Sequence, residues 1–511
     1  MERPPDPVPN MSLKKNILAN YASQLYVTGV GILILPLYIK HMGAEAYGLV
    51  GFFTMLQAWF ALLDLGLTPT IGRETARYRG GAMSALSYRQ LFRALSLIFA
   101  TIALLGGFSL WLFAEAIAIR WLKVSELPIS EVVLAVQIMA ISVALRWMGG
   151  LYRGVVSGSE RLVWLSAFNV LIATLRFIAV FGSMWLYGFT PRVFFLHQLT
   201  IALLEVSGLF LMSRHLLPAR SSLEQPIGWS IRPVKPFLKF ALTIAFTSSV
   251  WVLVTQTDKL ILSGILPLAE YGYFTLAVLV ASGIMVISGP ISSAIMPRMA
   301  KLHAEGKHHE MIKVYRDATQ LVAVIAGSAA ITVSVCAEQL LTVWTDDPTL
   351  GEKVGPILRL YAIGNGFLAL AAFPYYLQFA KGNLHYHLIG NIIIALVLVP
   401  SIIACATEYG AFGAGSAWAT LNGITLFTWV AYIHKKIEPG LHTKWVVHDF
   451  LAICIPGSLA CATLFIALQE NKNTPILLIV ALSASSVLFS CIASSSIRKK
   501  IIERLRTLQS A

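Results

Sequence analysis

We single out six ionisable side chains, apart from histidines, within the long apolar runs of this 511-residue chain. They are Asp64, Arg146, Arg176, Glu205, Asp258 and Lys259. A charge near the centre of a bilayer costs at least about 2.5 to 3.5 kcal/mol, so each of them needs a partner, water or a function. These residues are therefore the first candidates for a binding site.

Arg146 and Arg153 are seven residues apart, which places both side chains on one face of a helix. They form a predicted basic track that runs inward from the cytoplasmic rim of the membrane. Guanidinium groups bind phosphate oxygens in pairs and keep their charge, so a pyrophosphate suits such a track. The alternative interpretation is that both arginines cap the inner end of their helix and contact lipid phosphates.

Arg176 and Glu205 are the deepest of these charges, on consecutive antiparallel helices, and we expect their depths to differ by only about 3 Å. An ion pair between them is expected, because pairing relieves much of the cost of burying each charge. A functional alternative keeps the same geometry. In that alternative, Glu205 holds Arg176 until a substrate phosphate or a coupling cation competes for one partner.

Asp64 and Lys259 lie near predicted helix ends, from which a long or charged side chain can reach the interface. The Asp258 carboxylate either compensates the positive charge of Lys259 or faces a cavity. The predicted substrate-binding residues are Arg146, Arg176, Arg153 and Lys259. The predicted ion-coupling or structural carboxylates are Glu205, Asp258 and Asp64.

The composition places the chain in a membrane, because 57% of its residues are hydrophobic and 13% are charged. The net charge of +14 is spread over short loops, which argues against a nucleic-acid surface. The five cysteines lie in apolar runs without paired spacing, so we predict packing roles and no metal site. No catalytic constellation and no Gly-rich phosphate loop followed by Lys is present, so we predict no cofactor and no enzyme activity.

The chain divides into fourteen apolar runs, each long enough to cross about 30 Å of hydrocarbon as a helix. An N-terminus inside the cell leaves 29 of the 39 Lys and Arg residues on the inner side and seven outside, with three inside spans. That asymmetry predicts that both termini are cytoplasmic. The predicted spans are 16–40, 46–68, 91–114, 131–151, 163–187, 192–213, 237–262, 271–296, 318–341, 357–380, 387–407, 413–433, 448–468 and 475–496.

An internal repeat superposes Tyr47-Gly48 on Tyr271-Gly272 at an offset of 224 residues. Each half has six spans, so the halves share one orientation, as in transporters with parallel repeats, whose binding sites lie between the repeats. Bending points are expected at Pro36, Pro374, Pro400 and Pro456. The predicted parts are a cytoplasmic tail (1–15), a first six-helix bundle (16–213), a linker (214–236), a second bundle (237–433), two additional helices (448–496) and a basic cytoplasmic tail (497–511).

The stretch from Gly43 to Leu49, then Leu63-Asp64-Leu65-Gly66-Leu67 and Arg73-Glu74, resembles the start of the polysaccharide and O-antigen flippases of the multidrug/oligosaccharidyl-lipid/polysaccharide superfamily. Thr257 to Ser263 is similar to the motif that opens their second half. The resemblance implies export of a polyprenyl-pyrophosphate-linked oligosaccharide from the inner to the outer leaflet of a bacterial inner membrane. It also implies membrane lipids and the lipid-linked glycan as partners, and it leaves a polysaccharide polymerase open as a protein partner.

Two sister families provide alternatives. Cation-coupled multidrug exporters often have a carboxylate in the first helix, whereas no acidic residue stands between Asn16 and Lys40 here. Lipid II flippases have fourteen helices and a basic cavity, so the helix count alone does not separate them from this chain. An enzyme that acts on lipid carriers and a membrane scaffold are the other classes to be tested.

Overall fold

The computed structural model describes residues 13–219, 223, 225–228, 234–468 and 475–499. Within these ranges the chain is helical, and the one β-bridge joins Lys123 to Pro267. The predicted all-α class is therefore confirmed. Parts of the predicted tails and linker lie outside the described residues, and the predicted domain boundaries stay predictions.

The chain forms two compact units, Met1–Gly272 and Tyr273–Ala511. The first contains α1 (Leu13–Leu33), α2 (Leu35–Met42), α3 (Ala44–Phe60), α4 (Leu67–Arg79), α5 (Ala85–Leu112), α6 (Ala114–Ala116), α7 (Ile129–Gly158), α8 (Leu162–Phe177), α9 (Ala179–Tyr187), α10 (Pro191–Leu216), α11 (Lys235–Ile265) and the start of α12 (Leu268–Ala304). The second contains the rest of α12 and then α13 (His308–Val322), α14 (Ser328–Val335), α15 (Ala337–Thr345), α16 (Pro348–Ala371), α17 (Phe373–Ala380), α18 (His385–Ile424), α19 (Val430–Ile437), α20 (Leu441–Lys444), α21 (Ala452–Leu468) and α22 (Pro475–Ala493).

Twelve helical segments of the described chain are long and apolar enough to cross a membrane. One of them, His385–Ile437, has 53 residues, or about 80 Å of helix, against roughly 30 Å of hydrocarbon. It contains two predicted spans, and Gly410 between them has non-helical dihedral angles (φ 57°, ψ −139°). Helix α11 covers a further predicted span but is not among the twelve. The polytopic architecture is confirmed, whereas the number fourteen stays a prediction.

The second predicted span is a broken helix. Helix α3 ends in a 3₁₀ turn, Ala61–Asp64, and is followed by two left-handed residues, Leu65 (φ 48°) and Gly66 (φ 70°), before α4 begins. The Asp64 carboxylate accepts hydrogen bonds from the Thr68 backbone N–H (3.2 Å) and hydroxyl (2.5 Å). Asp64 therefore caps the first turn of α4, where a negative charge is stabilised by the unpaired N–H groups.

The start of α12 packs tightly on α3 at two glycines, Gly48 and Gly272, that correspond in the predicted repeat. A Cβ atom on Gly272 would lie 2.7 Å from the Ala44 carbonyl oxygen, and one on Gly48 would collide with the Leu268 backbone. Since no side chain fits between these backbones, Gly is required at both positions.

Loops close over this contact at the predicted outer end of the first unit. The buried Glu45 carboxylate accepts backbone hydrogen bonds from Ser125 (2.6 Å), Glu126 (2.7 Å) and Leu127 (2.6 Å). The Lys123 carbonyl accepts a hydrogen bond from the Leu268 N–H at 2.9 Å. The loop before α7 is thereby fixed to both α3 and the start of α12.

In the second unit, a buried polar cluster ties the last two helices to α13. Arg316 donates two hydrogen bonds to the fully buried Asp449, at 2.6 and 3.0 Å. The Gln320 amide donates to Asp449 at 2.7 Å and accepts from the Ser494 hydroxyl at 2.8 Å. Because each buried polar group has a partner, the cluster fixes α21 and α22 within the second unit.

Candidate anion-binding site

Three helices of the first unit carry Arg146, Arg153, Arg176 and Glu205 and position them. Arg146 and Arg153 lie on α7, Arg176 lies on α8 and Glu205 lies on α10. Helices α7 and α10 pack against each other at Gly149, where an added Cβ atom would meet Leu209 and Val206 at ordinary van der Waals distances. This packing brings the polar faces of α7, α8 and α10 together inside the apolar helix bundle.

Arg146 is held by neutral groups. Its Nη1 atom donates to the Gln57 Oε1 atom at 2.6 Å, and its Nη2 atom donates to the Gln198 Oε1 atom at 2.9 Å. The guanidinium also lies 4.9 Å from the centre of the Phe53 ring. Among the described residues no carboxylate pairs with Arg146, and its Nε atom is buried without a hydrogen-bond partner. Amide oxygens orient the guanidinium and leave its positive charge uncompensated.

Arg153 and Arg176 share one carboxylate. The Nη2 atom of Arg153 lies 3.0 Å from the Glu205 Oε1 atom, and the Nη2 atom of Arg176 lies 2.5 Å from the Oε2 atom. Arg153 also donates to the Asn169 side-chain oxygen at 2.8 Å. The expected ion pair between Arg176 and Glu205 is present. The sequence predicts that Arg153 and Arg146 share one helix face. In the structure the carboxylate that pairs with Arg153 is that of Glu205, because α7 packs against α10.

Lys259 and Asp258 lie apart from these arginines in the chain, on α11. The Lys259 Nζ atom donates to the Thr255 carbonyl at 2.6 Å, within the same helix, and lies 3.3 Å from the Asp258 Oδ1 atom. Asp258 is almost fully buried, with 1% of its surface exposed. The charge of Lys259 is thus satisfied locally, which distinguishes it from that of Arg146.

A cavity of about 480 Å³ opens beside Arg146 in the first unit. The break between α3 and α4 forms one wall, α7 forms another, and α11 contributes a third. The polar side chains that line it belong to Gln57, Asp64, Thr68, Arg146, Ser248 and Ser249. Trp147 and several aliphatic side chains complete the lining. The cavity therefore offers one guanidinium without an ion-pair partner, one carboxylate, hydroxyl groups and an apolar surface.

The residues that sequence reasoning missed are amides. Gln57, Gln198 and Asn169 orient the arginines, and the Gln198 Nε2 atom also donates to the Arg176 carbonyl at 3.0 Å. One signal was available, since Gln198 stands seven residues before Glu205 and so shares its helix face. Inserting an uncharged amide into a membrane costs less free energy than inserting a charged group. These amides therefore gave no clear signal within the apolar runs.

The cluster has an excess of positive charge. Arg146, Arg153 and Arg176 carry three positive charges, and Glu205 carries one negative charge. The sum of +2 is what a dianion needs for neutrality. Among the described residues no group of three or more His, Cys, Asp or Glu side chains could hold a metal ion. The arrangement is suited to binding an anion.

The chain matches the family described as "Polysaccharide biosynthesis protein" over residues 13–303. It belongs to this family. This membership confirms the resemblance seen in the motifs around Asp64. Over 416 residues the chain is 21% identical to the "Putative O-antigen transporter" of Shigella flexneri, an alignment that covers 80% of this chain and 94% of that protein.

Further comparisons give additional similarities. The chain is 21% identical over 436 residues to the "Uncharacterized membrane protein EpsK" of Bacillus subtilis (strain 168), covering 83% of this chain and 82% of that protein. Its fold is similar to that of the lipid II flippase MurJ in an inward closed conformation, with a TM-score of 0.71 and 14% identity over 94% of this chain and 98% of that one. A multidrug transporter of the MATE family in an inward-facing conformation has a TM-score of 0.66 and 13% identity, over 81% of this chain and 94% of the other. At these identities the structural similarity establishes the fold alone.

Proposed function

We propose that this family member is a flippase that moves a polyprenyl-pyrophosphate-linked oligosaccharide from the inner to the outer leaflet of a bacterial inner membrane. The observation that carries the proposal is the uncompensated guanidinium of Arg146, which neutral amides hold beside a cavity. The family membership and the O-antigen transporter relative support a glycan as the cargo.

The charge of the cluster supports a pyrophosphate head group. A pyrophosphate that links a lipid to a sugar carries two negative charges, one on each phosphate, and the charges of Arg146, Arg153, Arg176 and Glu205 sum to +2. Arginine binds phosphate oxygens bidentately, and no proton needs to be gained or lost for it to do so. A cationic drug would meet repulsion at the same place, so the cluster disfavours a multidrug exporter.

The outer-end packing supports alternating access. Gly48 and Gly272 let the backbones of α3 and α12 meet, and Glu45 fixes the loop before α7 over the contact. Such a closed outer end would keep the cavity accessible from the inner leaflet, where the cargo is loaded. Separation at the glycine contact would then release the head group outward, while the polyprenyl tail stays in lipid.

The experiment that tests the proposal compares Arg146→Ala and Arg176→Ala with the unaltered protein in a strain that lacks the gene. Both variants should lower surface polysaccharide at least about tenfold while protein level and membrane insertion stay normal, because Arg146 lines the cavity and Arg176 balances the charge of Glu205 beside it. A conservative Lys259→Gln variant is the matched control, since that charge is satisfied within α11. If both arginine variants export normally, the binding-site assignment is wrong.

A lipid II flippase is the second candidate, because lipid II also carries a pyrophosphate and the arginine cluster suits both cargoes. The fold similarity to MurJ is compatible with either. Depletion of the protein separates them. Loss of surface glycan with intact peptidoglycan synthesis supports the proposed cargo, whereas arrested peptidoglycan synthesis supports lipid II.

A further inference from the structure

Helix α8 is interrupted one residue after its end at Phe177, because α9 begins only at Ala179 and Ile178 lies between them. The Phe181 N–H bonds to the Ile178 carbonyl at 3.1 Å, whereas a continuous helix would bond it to the Phe177 carbonyl. No proline or glycine stands at positions 175–181. A kink without either residue usually arises where other side chains enter the hydrogen-bond ladder of the helix. The cause of this break therefore lies in the neighbouring helices.

Three side chains from two other helices take the three carbonyl groups that precede the break. In chain order, the carbonyls of residues 175, 176 and 177 accept hydrogen bonds from the His197 Nε2 atom at 2.9 Å, the Gln198 Nε2 atom at 3.0 Å and the Tyr38 hydroxyl at 2.9 Å. We call these three side chains the carbonyl clasp. They replace the backbone N–H groups that a continuous helix would supply, so the interrupted backbone keeps its hydrogen bonds.

The clasp also contacts the far side of the break. The His197 Nε2 atom must carry a hydrogen because a carbonyl only accepts, and the Nδ1 atom of the same ring lies 2.8 Å from the Ser183 hydroxyl on α9. His197 thus connects α8 to α9. The Tyr38 ring stacks on Phe181 of α9 at 5.2 Å and meets Phe194 of α10 edge-on at 5.3 Å. The break is therefore held from both α2 and α10.

Gln198 joins the clasp to the anion site. Its side chain is buried, with 3% of the residue exposed. Because the Nε2 atom binds the Arg176 carbonyl, the Oε1 atom points to the Arg146 Nη2 atom and accepts its hydrogen bond at 2.9 Å. In a continuous helix the Arg176 carbonyl would accept from the Val180 N–H instead. The amide would then be free to turn its NH2 group towards the guanidinium, and two donors would face each other.

We propose that Tyr38 and His197 are positioning residues of the anion site. They hold the break beside Arg176 and so keep its carbonyl available to Gln198. Gln198 in turn orients Arg146 towards the pyrophosphate. Neither Tyr38 nor His197 lines the cavity, so both act through the amide and not by touching the anion. This inference rests on the proposed function, because it requires that the cavity beside Arg146 binds a pyrophosphate.

A clasp that only stabilises the helix bundle would behave differently from one that positions the site. Loss of a merely stabilising hydrogen bond lowers the melting temperature, and any effect on binding is independent of Gln198. Loss of a positioning hydrogen bond lowers the affinity through Gln198, so the effect disappears once that amide has been replaced. A double-mutant cycle distinguishes the two cases, because residues that act through one group are not additive.

Calorimetric binding of a short-chain prenyl-pyrophosphate monosaccharide to the full-length protein in nanodiscs tests the proposal. Tyr38→Phe removes one hydroxyl and keeps the ring contacts, whereas His197→Leu removes both ring nitrogens. Each should weaken the affinity about two- to fivefold, and no more than Gln198→Met does, because one hydrogen bond to the amide is at stake. His197→Gln should restore most of the affinity, since a glutamine amide supplies an N–H donor in place of the Nε2 atom.

Tyr26→Phe is the matched control. The Tyr26 hydroxyl also contacts α8, at the Thr174 hydroxyl (2.8 Å), but it does not take one of the three carbonyls before the break. This variant should keep the affinity of the unaltered protein. In the Gln198→Met background, Tyr38→Phe and His197→Leu should cause no further loss of affinity. Melting temperatures of all variants are measured alongside.

The outcomes separate the two proposals. Unchanged affinity in Tyr38→Phe or in His197→Leu overturns the role of that residue and leaves the proposed function intact. Losses that add to that of Gln198→Met, or an equal loss in Tyr26→Phe, overturn the positioning role in the same way. Absence of probe binding by the unaltered protein overturns the proposed function and this inference with it. Losses that vanish in the Gln198→Met background support both.

Discussion

Replacing Gln198 by Glu changes one charge with almost no change in shape, and it tests whether neutral amides keep Arg146 available. The Gln198 Oε1 atom accepts a hydrogen bond from the Arg146 Nη2 atom at 2.9 Å. A carboxylate at that position would form an ion pair with Arg146 and cancel its charge. The cargo would then meet a neutral pair instead of a free guanidinium.

The magnitude follows from Coulomb's law. A phosphate about 4 Å from the guanidinium gains about 4 kcal/mol at an effective dielectric constant of about 20. A new carboxylate some 7 Å from that phosphate repels it by about 2.4 kcal/mol under the same conditions. Allowing for reorganisation, we expect a loss of about 2 kcal/mol, which is roughly a thirtyfold weaker affinity.

The assay is binding of a prenyl-pyrophosphate monosaccharide, measured at pH 8 so that the introduced glutamate stays ionised. Gln198→Met is the neutral control, because it removes the hydrogen bonds to Arg146 and Arg176 without adding a charge. It should cost about 1 kcal/mol. Equal affinity of Gln198→Glu and the unaltered protein, or equal loss in the two variants, would refute the electrostatic reasoning.

Three further predictions concern the helix packing outside the site. Leu65→Gly should raise stability in detergent by about 0.5 to 1 kcal/mol, measured by thermal unfolding, because Leu65 holds a left-handed conformation (φ 48°); a lower melting temperature would contradict this. Gly272→Ala should separate α3 from α12 at the outer end and so increase maleimide labelling of a Leu268→Cys probe. Gly289→Ala is the control and should leave the labelling unchanged, because an added Cβ atom there meets nothing within 4 Å. Asp449→Asn should destabilise the protein by about 1 to 3 kcal/mol, since it leaves Arg316 without its buried partner; an unchanged melting temperature would show that the pair does not stabilise the fold.

The helices were predictable because long apolar runs and the distribution of Lys and Arg are strong signals along the whole chain. The ion pair of Arg176 and Glu205 was predictable as well, since matched depths on neighbouring helices bring the two charges together. Two of the four predicted bending points, Pro36 and Pro374, coincide with helix interruptions. By contrast, α18 continues through Pro400 and α21 through Pro456.

The finer design of the site was not predictable from single positions. The partner of Arg153 depends on how α7 rotates against α10, which no periodicity in one helix determines. Gln57 and Gln198 carry no charge to mark them. The break after Asp64 has one local signal, Gly66, but the left-handed conformation of Leu65 requires the Thr68 cap and the surrounding packing to hold it.

Flipping in proteoliposomes tests the central claim most directly. A fluorescent short-chain polyprenyl-pyrophosphate oligosaccharide is placed in both leaflets, and its movement is followed with a membrane-impermeant quencher. The unaltered protein should move this lipid at least about tenfold faster than Arg146→Ala, and faster than it moves the same glycan on a monophosphate. Equal rates for Arg146→Ala and the unaltered protein would contradict the account.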